Sequence, residues 1–218
     1  MAKRFDLVVF DWDGTLLDSA AAIVAAIQAA CRDLDLPEPS DARARHVIGL
    51  GLSEAMRFAV PDLEPEQYPP MVDRYRYHYL SRDHELALFA GAADLVRELE
   101  AAGHLLAVAT GKSRAGLDRA LKVSGLGPSF HSSRCADECF SKPHPQMLEE
   151  LMDELGVVPE RTVMIGDTSH DLLMASNAGV ASLAVSYGAH EPEVLLAHGP
   201  LETFSRVEDL AGWLRRHA

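Results

Sequence analysis

The chain has 218 residues, of which 48% are hydrophobic; this combination supports a packed core and argues against extensive disorder. Its formal net charge of −13 opposes nonspecific binding to nucleic acids or anionic membranes, which are themselves polyanions, and suits a divalent cation or a small ligand. No apolar run reaches the roughly 20 residues of a membrane-spanning helix, and acids interrupt the first segment too early for a signal peptide. Because the three cysteines fit reduced thiols better than a disulfide framework, we expect a cytoplasmic protein.

Five short apolar runs predict the strands of a parallel sheet that is covered on both faces. Amphipathic helical patterns lie between the later runs and stop at glycines. This alternation predicts βαβ units and therefore an α/β fold with a doubly wound parallel sheet. The predicted strands are 5–10, 104–110, a weaker candidate at 129–135, 161–167 and 179–186.

One segment interrupts the alternation. Residues 18–85 contain no predicted strand, and an alanine-rich amphipathic helix begins at Ala20, followed by further helical patterns. We interpret 18–85 as an all-helical cap domain inserted into a Rossmann-like core domain, which consists of residues 1–17 and 86–218. The change of pattern alone sets these boundaries.

Pairs of acids follow two of the predicted strands. Asp11 and Asp13 come directly after the first strand, and Asp167 and Asp171 follow the fourth. Each pair alone is explained by a polar turn or by acids at a helix start. In an open parallel sheet, however, ligands bind beyond the carboxyl ends of the strands, so the pairs are expected to meet at one edge. Carboxylates this close repel one another unless a cation offsets their negative charge, and Mg²⁺ prefers a site in which all ligands are oxygen atoms.

The two remaining strand ends carry groups that suit an anion. Thr110 and Gly111 offer a hydroxyl and backbone amides near a helix start, where a phosphate can bind, although a helix cap is the ordinary explanation. Lys142 follows the third strand and can neutralise an anion as a compact charge. The letters "TGKS" are not a nucleotide-binding loop, because Leu106 stands where that motif requires glycine. Together the four strand ends predict a metal ion beside a bound phosphate.

At this point the sequence resembles the haloacid dehalogenase (HAD) superfamily, in its phosphatase branch with a helical cap. The motifs "DWDGT", "ATGK", "SKP" and "GDTSHD" carry the resemblance, in the order that the family has. Together with "SNAG" and the segment before "ATGK", they look most like the phosphoglycolate phosphatase-like subgroup. The resemblance implies a Mg²⁺-dependent phosphatase that hydrolyses a small organophosphate, with phosphoglycolate as the first candidate.

The resemblance also implies a role for each site residue. Asp11 would attack phosphorus and form an aspartyl-phosphate. Asp13 would protonate the departing oxygen and later accept a proton from the hydrolytic water. The implied Mg²⁺ ligands are the Asp11 carboxylate, the Asp13 main-chain carbonyl and Asp167, with Asp171 in a supporting position, and the implied phosphate-binding groups are Thr110, the Gly111 amide and Lys142.

Two other functions remain open. A sugar-phosphate mutase of the same superfamily would share the acids, but such enzymes typically present a Ser-Arg pair on the cap, whereas Leu52 precedes Ser53 here and no arginine adjoins it. A non-catalytic ligand-binding module on the same fold would not need both acids of the first motif. A hydrolase is therefore the favoured reading.

Three smaller features remain. The glycines of "GLGL", Gly49 and Gly51, either let a cap loop approach the substrate or form a tight turn between helices. Asp18 and Ser19 are expected to form the N-cap of the first cap helix rather than to act in catalysis. Trp12 is assigned packing only.

Overall fold

A single parallel sheet organises the molecule, for which a computed structural model describes residues 4–218. Five of its strands lie within the predicted runs, and the doubly wound α/β fold is confirmed. The sixth, β6, was not predicted, because a strand of two residues has no periodicity to read. The strands are β1 (Leu7–Phe10), β2 (Leu105–Thr110), β3 (Ser132–Cys135), β4 (Thr162–Gly166), β5 (Ala181–Val185) and β6 (Thr203–Phe204), in the order β3-β2-β1-β4-β5-β6.

Helices occupy the connections between the strands. Five of the α-helices in the described part of the chain lie between β1 and β2: α1 (Ala20–Asp33), α2 (Asp41–His46), α3 (Leu52–Ala59), α4 (Tyr68–Arg82) and α5 (Ala92–Ala101). The others are α6 (Arg114–Ser124), α7 (Gln146–Leu155), α8 (Ser169–Asn177), α9 (Pro192–Leu196) and α10 (Val207–His217). Among residues 4–218, no helix is long and apolar enough to cross a membrane.

Strand β1 shows why the strands read as continuous apolar runs. Successive side chains of a strand point to opposite faces. Val8 and Phe10 pack in an apolar cluster with α5 and α10, whereas Leu7 and Val9 pack in a second cluster with α7 and α8. All four side chains are fully buried, because helices cover both faces of the sheet.

Helices α1 to α4 surround an apolar cluster of their own, which includes Ile27, Met56 and Met71. The two chain connections to this helical region run side by side, since Leu17 and Leu88 form an isolated antiparallel bridge and the Asp18 amide donates to the Ala87 carbonyl over 3.0 Å. Residues 20–82 are thus helices and turns without a strand, as the sequence indicates. The domain boundaries at 18 and 85 remain a prediction.

The position of β1 in the sheet decides where a ligand can bind. From β1 the chain builds β2 and β3 on one side, and it then crosses over to place β4, β5 and β6 on the other. The connections diverge at this reversal and leave a crevice beyond the carboxyl ends of β1 and β4. Helices α1 to α4 are inserted directly after β1, above that crevice.

Candidate active site

The structure brings together the charged residues predicted from the strand ends. Asp11 follows β1, Asp167 follows β4, and Lys142 lies in the segment between β3 and α7. Each of these side chains, with Asp171 on the first turn of α8, is at most 1% exposed. Thr110, the last residue of β2, is equally buried beside them. Burial of so many ionisable groups is costly unless they are paired, so their contacts show what the site can hold.

Lys142 joins two of the carboxylates. Its Nζ lies 2.8 Å from Asp11 Oδ1 and donates to Asp171 Oδ1 over 2.6 Å. Burial alone would lower the pKa of Lys142, but the negative charges of Asp11 and Asp171 outweigh it and hold that pKa above its ordinary value. Lys142 is therefore a permanent cation between two acids.

Asp11 is the least satisfied group of the site. Burial raises its pKa to about 7, while Lys142 acts in the opposite direction. Among the described residues, neither carboxylate oxygen has a partner in hydrogen-bonding geometry, despite the short distance to Lys142. A buried carboxylate in this state has lone pairs free to bind a cation or to attack a substrate.

Asp167 is held rigidly beside Asp11. Thr15 Oγ1 donates to its Oδ1 over 2.8 Å, and the Ala189 amide donates to its Oδ2 over 2.7 Å. Glycines border the carboxylate, since a Cβ at Gly14 or Gly188 would overlap it. Burial first, and the nearby charges of Asp11 and Asp171 second, raise the pKa of Asp167 well above its ordinary value.

A cation would relieve this crowding. Carboxylate oxygens of Asp11, Asp167 and Asp171 lie within 4.8 Å of one another, and an all-oxygen donor set fits a hard divalent ion. The three acids are not equivalent. Asp171 Oδ2 already accepts from the Thr168 amide and hydroxyl, over 3.1 and 2.7 Å, and its Oδ1 accepts from Lys142. The open positions belong to Asp11 and to the remaining lone pairs of Asp167.

Asp13 has a different environment. Lys112 Nζ lies 2.9 Å from both of its carboxylate oxygens, and Ser19 Oγ donates to Oδ1 over 2.7 Å. Ser19 is the N-cap residue of α1, as the sequence predicts, but its hydroxyl makes no capping bond and is turned toward Asp13 instead. Tyr79 on α4 completes the group, with Oη 3.5 Å from Asp13 Oδ1 and 3.0 Å from Lys112 Nζ.

Lys112 and Tyr79 are the residues that the sequence analysis did not assign. Lys112 follows Gly111 in the "ATGK" motif, so the sequence gives its position near the strand end but not its ion pair with Asp13. Tyr79 comes from a helix 66 residues away from Asp13, and no local pattern connects the two. Burial, and then the charge of Asp13, raises the pKa of Tyr79, which therefore keeps its proton and can donate it in a hydrogen bond.

The turn between α2 and α3 lies directly over the core. Gly49 has φ +90°, which favours glycine, and a Cβ at Gly111 would lie 2.5 Å from the carbonyl oxygens of Gly49 and Leu50. The Gly51 amide donates to Ser141 Oγ over 2.8 Å. The "GLGL" glycines thus fulfil both alternatives, since they form a tight turn that also approaches the site closely.

Three histidines join the same part of the cap to the core. Nε2 of His170 and Nε2 of His190 lie 2.7 and 3.2 Å from the His46 carbonyl oxygen. The Ser169 amide donates to His190 Nδ1, which places the His190 proton on Nε2, facing that carbonyl. Burial lowers the pKa of both imidazoles, that of His190 to about 4, so they are neutral donors near pH 7.

A cavity of about 830 Å³ opens between the cap and the core beside Asp11 and Asp13. On the core side it reaches Thr110, Gly111 and Lys112. On the cap side its walls are largely apolar and aromatic, and include Ile23, Ile27, Met56, Val72, Tyr75 and Tyr79. Trp12 is not part of this wall; it is buried in the sheet cluster and meets Phe130 edge to face at 6.3 Å.

Known proteins resemble this chain in sequence and in fold. The family model described as haloacid dehalogenase-like hydrolase matches residues 8–185. The chain is 38% identical over 210 residues to the "Probable phosphatase IndB" of Dickeya dadantii, covering 92% of this chain and 91% of the relative. It is 30% identical to the phosphoglycolate phosphatase of Vibrio cholerae, covering 88% of each. A crystal structure described as a predicted phosphoglycolate phosphatase from Haemophilus somnus has the same fold, with a TM-score of 0.88, 24% identity, and coverage of 98% of this chain and 99% of that one.

Proposed function

The chain belongs to the haloacid dehalogenase-like hydrolase family and is a phosphatase of that family, and on this basis we propose that it is Mg²⁺-dependent and works through an aspartyl-phosphate on Asp11. The observation that carries the proposal is the Asp11 carboxylate, which is fully buried, lies against Lys142 and has no hydrogen-bond partner for either oxygen among residues 4–218. A side chain kept in this state suits nucleophilic attack.

The remaining groups suit the two steps of such a reaction. When Asp11 attacks phosphorus, Thr110, the Gly111 amide and the Lys142 ammonium hold the phosphoryl oxygens and balance their charge. Asp13 gives a proton to the oxygen that leaves, and the resulting carboxylate takes a proton from the water that releases phosphate. Lys142 keeps its proton throughout, because both neighbouring acids stabilise its charge.

The proposed Mg²⁺ site consists of the Asp11 carboxylate, the main-chain carbonyl of Asp13 and Asp167. When bound there, the ion would supply charge neutralisation for the phosphoryl group. The contacts of Asp171 favour a supporting role, in which it orients Lys142 and the start of α8 rather than offering an open oxygen. The raised pKa of Asp167 supports the proposal, because burial and, after it, the charges of Asp11 and Asp171 disfavour the carboxylate form, and a bound cation would offset both effects.

Phosphoglycolate is the first candidate substrate, on the strength of the relative named for it. The cavity supports a second candidate class. A volume of about 830 Å³ with apolar walls is in the range of pockets that enclose drug-sized ligands, and glycolate would occupy only a small part of it. A phosphate ester with a larger, partly apolar alcohol fits the cavity better.

We keep as predictions a small phosphorylated metabolite as partner, no nucleic acid or membrane partner, and a cytoplasmic location.

Phosphate release from phosphoglycolate, sugar phosphates, nucleoside monophosphates and p-nitrophenyl phosphate, with and without Mg²⁺, tests the proposal. Release that requires Mg²⁺ and disappears in Asp11→Asn is the expected result. The matched control is Asp94→Asn, which changes an exposed acid on α5 and should retain activity. Absence of Mg²⁺-dependent release from every ester would contradict the proposal, and an isomerised product without free phosphate would indicate a mutase instead.

A further inference from the structure

The acid at position 13 is enclosed by three donors from different parts of the chain. Lys112 comes from the loop after β2, Ser19 immediately precedes α1, and Tyr79 lies in the last turn of α4. The side chains of Asp13 and Lys112 are each only 10% exposed, so this ion pair is largely withdrawn from water. Such a pair holds its geometry better than a surface salt bridge does.

Within this group, the side-chain hydrogen bonds of Lys112 and Tyr79 are donated toward Asp13, either directly or through the Tyr79 hydroxyl. The Lys112 ammonium donates to both Asp13 oxygens and also to Tyr79 Oη, and its Nζ lies 4.9 Å from the centre of the Tyr79 ring. The Tyr79 hydroxyl in turn donates toward Asp13 Oδ1. Lys112 is thereby fixed by a hydroxyl and by an aromatic face, both of which belong to the cap.

From this arrangement we infer that Lys112 and Tyr79 are positioning residues for the acid–base step, and that the cap completes the step by bringing Tyr79 to the Lys112–Asp13 pair. The inference rests on the proposed function, which gives Asp13 the proton transfers. A lysine that contacts both oxygens, together with the Tyr79 hydroxyl, fixes the orientation of the Asp13 carboxyl group. After Asp13 has protonated the leaving oxygen, the same contacts hold it in place while it accepts the proton of water.

The proton balance of the first step is simple. The Asp11 oxygen forms a bond to phosphorus while the bond from phosphorus to the ester oxygen breaks. The Asp13 proton moves to that ester oxygen, which leaves as a neutral alcohol. Lys112 and Tyr79 keep their protons, and their hydrogen bonds strengthen as Asp13 becomes negative.

A second role for Lys112 must be distinguished from this one. Lys112 adjoins Thr110 and Gly111, and its backbone amide lies 3.2 Å from Thr110 Oγ1. Its ammonium could therefore serve the phosphoryl group directly. A phosphate-binding lysine would assist every ester equally, whereas a lysine that acts through Asp13 assists only those esters whose leaving oxygen needs a proton.

Two esters of similar size separate these roles. p-Nitrophenol leaves readily as an anion, so its ester needs little help from Asp13, whereas benzyl alcohol requires a proton as it leaves. The value of kcat/KM is the appropriate measurement, because it reports the steps up to the phosphorylation of Asp11. Lys112→Met, Tyr79→Phe and Asp13→Asn are compared on benzyl phosphate and p-nitrophenyl phosphate, each with Mg²⁺.

We expect Lys112→Met to lower kcat/KM for benzyl phosphate about 10-fold more than for p-nitrophenyl phosphate, in the same direction as Asp13→Asn. Tyr79→Phe keeps the ring and removes only the hydroxyl. It should also lower kcat/KM more for benzyl phosphate than for p-nitrophenyl phosphate, but by a smaller factor than Lys112→Met does. Lys122→Met and Tyr77→Phe are matched controls, because they change an exposed lysine of α6 and an exposed tyrosine of α4; both should leave the ratio unchanged.

Equal losses on the two esters in Lys112→Met and Tyr79→Phe would overturn the inference and leave the phosphatase proposal standing. Failure of the wild-type protein to release phosphate from these two esters and from every other ester of the panel above would overturn both. Because Tyr79→Phe is nearly isosteric, it remains informative even if Lys112→Met does not fold.

Discussion

At the core edge of the site, charged side chains are linked by ion pairs, whereas the cap contributes a backbone turn, a carbonyl oxygen and a phenolic hydroxyl. The core cluster of Asp11, Lys142, Asp167 and Asp171 is fully buried and complete without any cap side chain. The cap supplies Tyr79, the His46 carbonyl and the turn at Gly49. On this basis we propose that the core supplies the reacting carboxylates and the phosphate-binding lysine, while the cap completes the Asp13 group through Tyr79 and limits what fits in the site.

The largest effect should follow from a change within the core cluster. Lys142→Met removes the cation between Asp11 and Asp171 and leaves buried carboxylates unpaired, which costs about 3 to 5 kcal/mol of unfolding free energy. Phosphate release should fall by about 10³-fold, since the phosphoryl group also loses a charged donor. Urea unfolding and turnover measurements check both effects, with the exposed Lys122→Met as the control; near-normal turnover in Lys142→Met would contradict the account.

An intermediate effect is expected at the junction of the two regions. Gly111→Ala places a Cβ against the carbonyls of Gly49 and Leu50, and backbone atoms cannot move aside as a flexible side chain would. The cap turn must shift, and kcat/KM should fall by about 10 to 100-fold, because misplaced closing elements cost activity of this order. Gly127→Ala meets only ordinary contact with Leu121 and should behave like the wild type. If both variants have wild-type kinetics, the turn does not close over the site.

The smallest effect concerns the histidine contact between cap and core. Burial lowers the pKa of His190 in the folded protein to about 4 from the ordinary histidine value of 6.5, so the unfolded chain binds the proton first as the pH falls. Its contribution to stability is therefore present above about pH 6.5 and is lost progressively between there and pH 4. The difference in unfolding free energy between wild type and His190→Gln should shrink over that range. A difference that stays constant with pH would contradict this assignment.

The core and the cap also differ in how far the sequence predicts them. Asp11 and Asp167 each follow an apolar strand directly, and Lys142 lies in the segment after β3. Parallel strands bring their carboxyl ends to one edge, so a local pattern was enough to place the three together. Tyr79 and His46 lie in helices whose periodicity reports only burial within the cap. Their contacts with Asp13 and His170 depend on how the cap packs on the core, which no spacing in the sequence records.

Ser19 shows that sequence patterns also miss tertiary contacts between residues that are close in the chain. A serine directly before a helix predicts a side-chain cap, yet its hydroxyl donates to Asp13, because that buried acceptor lies within reach. Strand β6 was missed for a different reason: its two residues are too few to show a periodicity, and only their pairing with β5 marks them as a strand. Tertiary contacts outweigh local preference in both cases.

The central claim is that Asp11 carries the phosphoryl group during turnover. Rapid acid quenching of the Mg²⁺-loaded protein with a hydrolysed ester, followed by peptide mass spectrometry, tests it directly. The account predicts one phosphoryl group on the peptide that contains Asp11 and none in Asp11→Asn. A phosphoryl group on another residue, or ester hydrolysis that persists at the wild-type rate in Asp11→Asn, would contradict it.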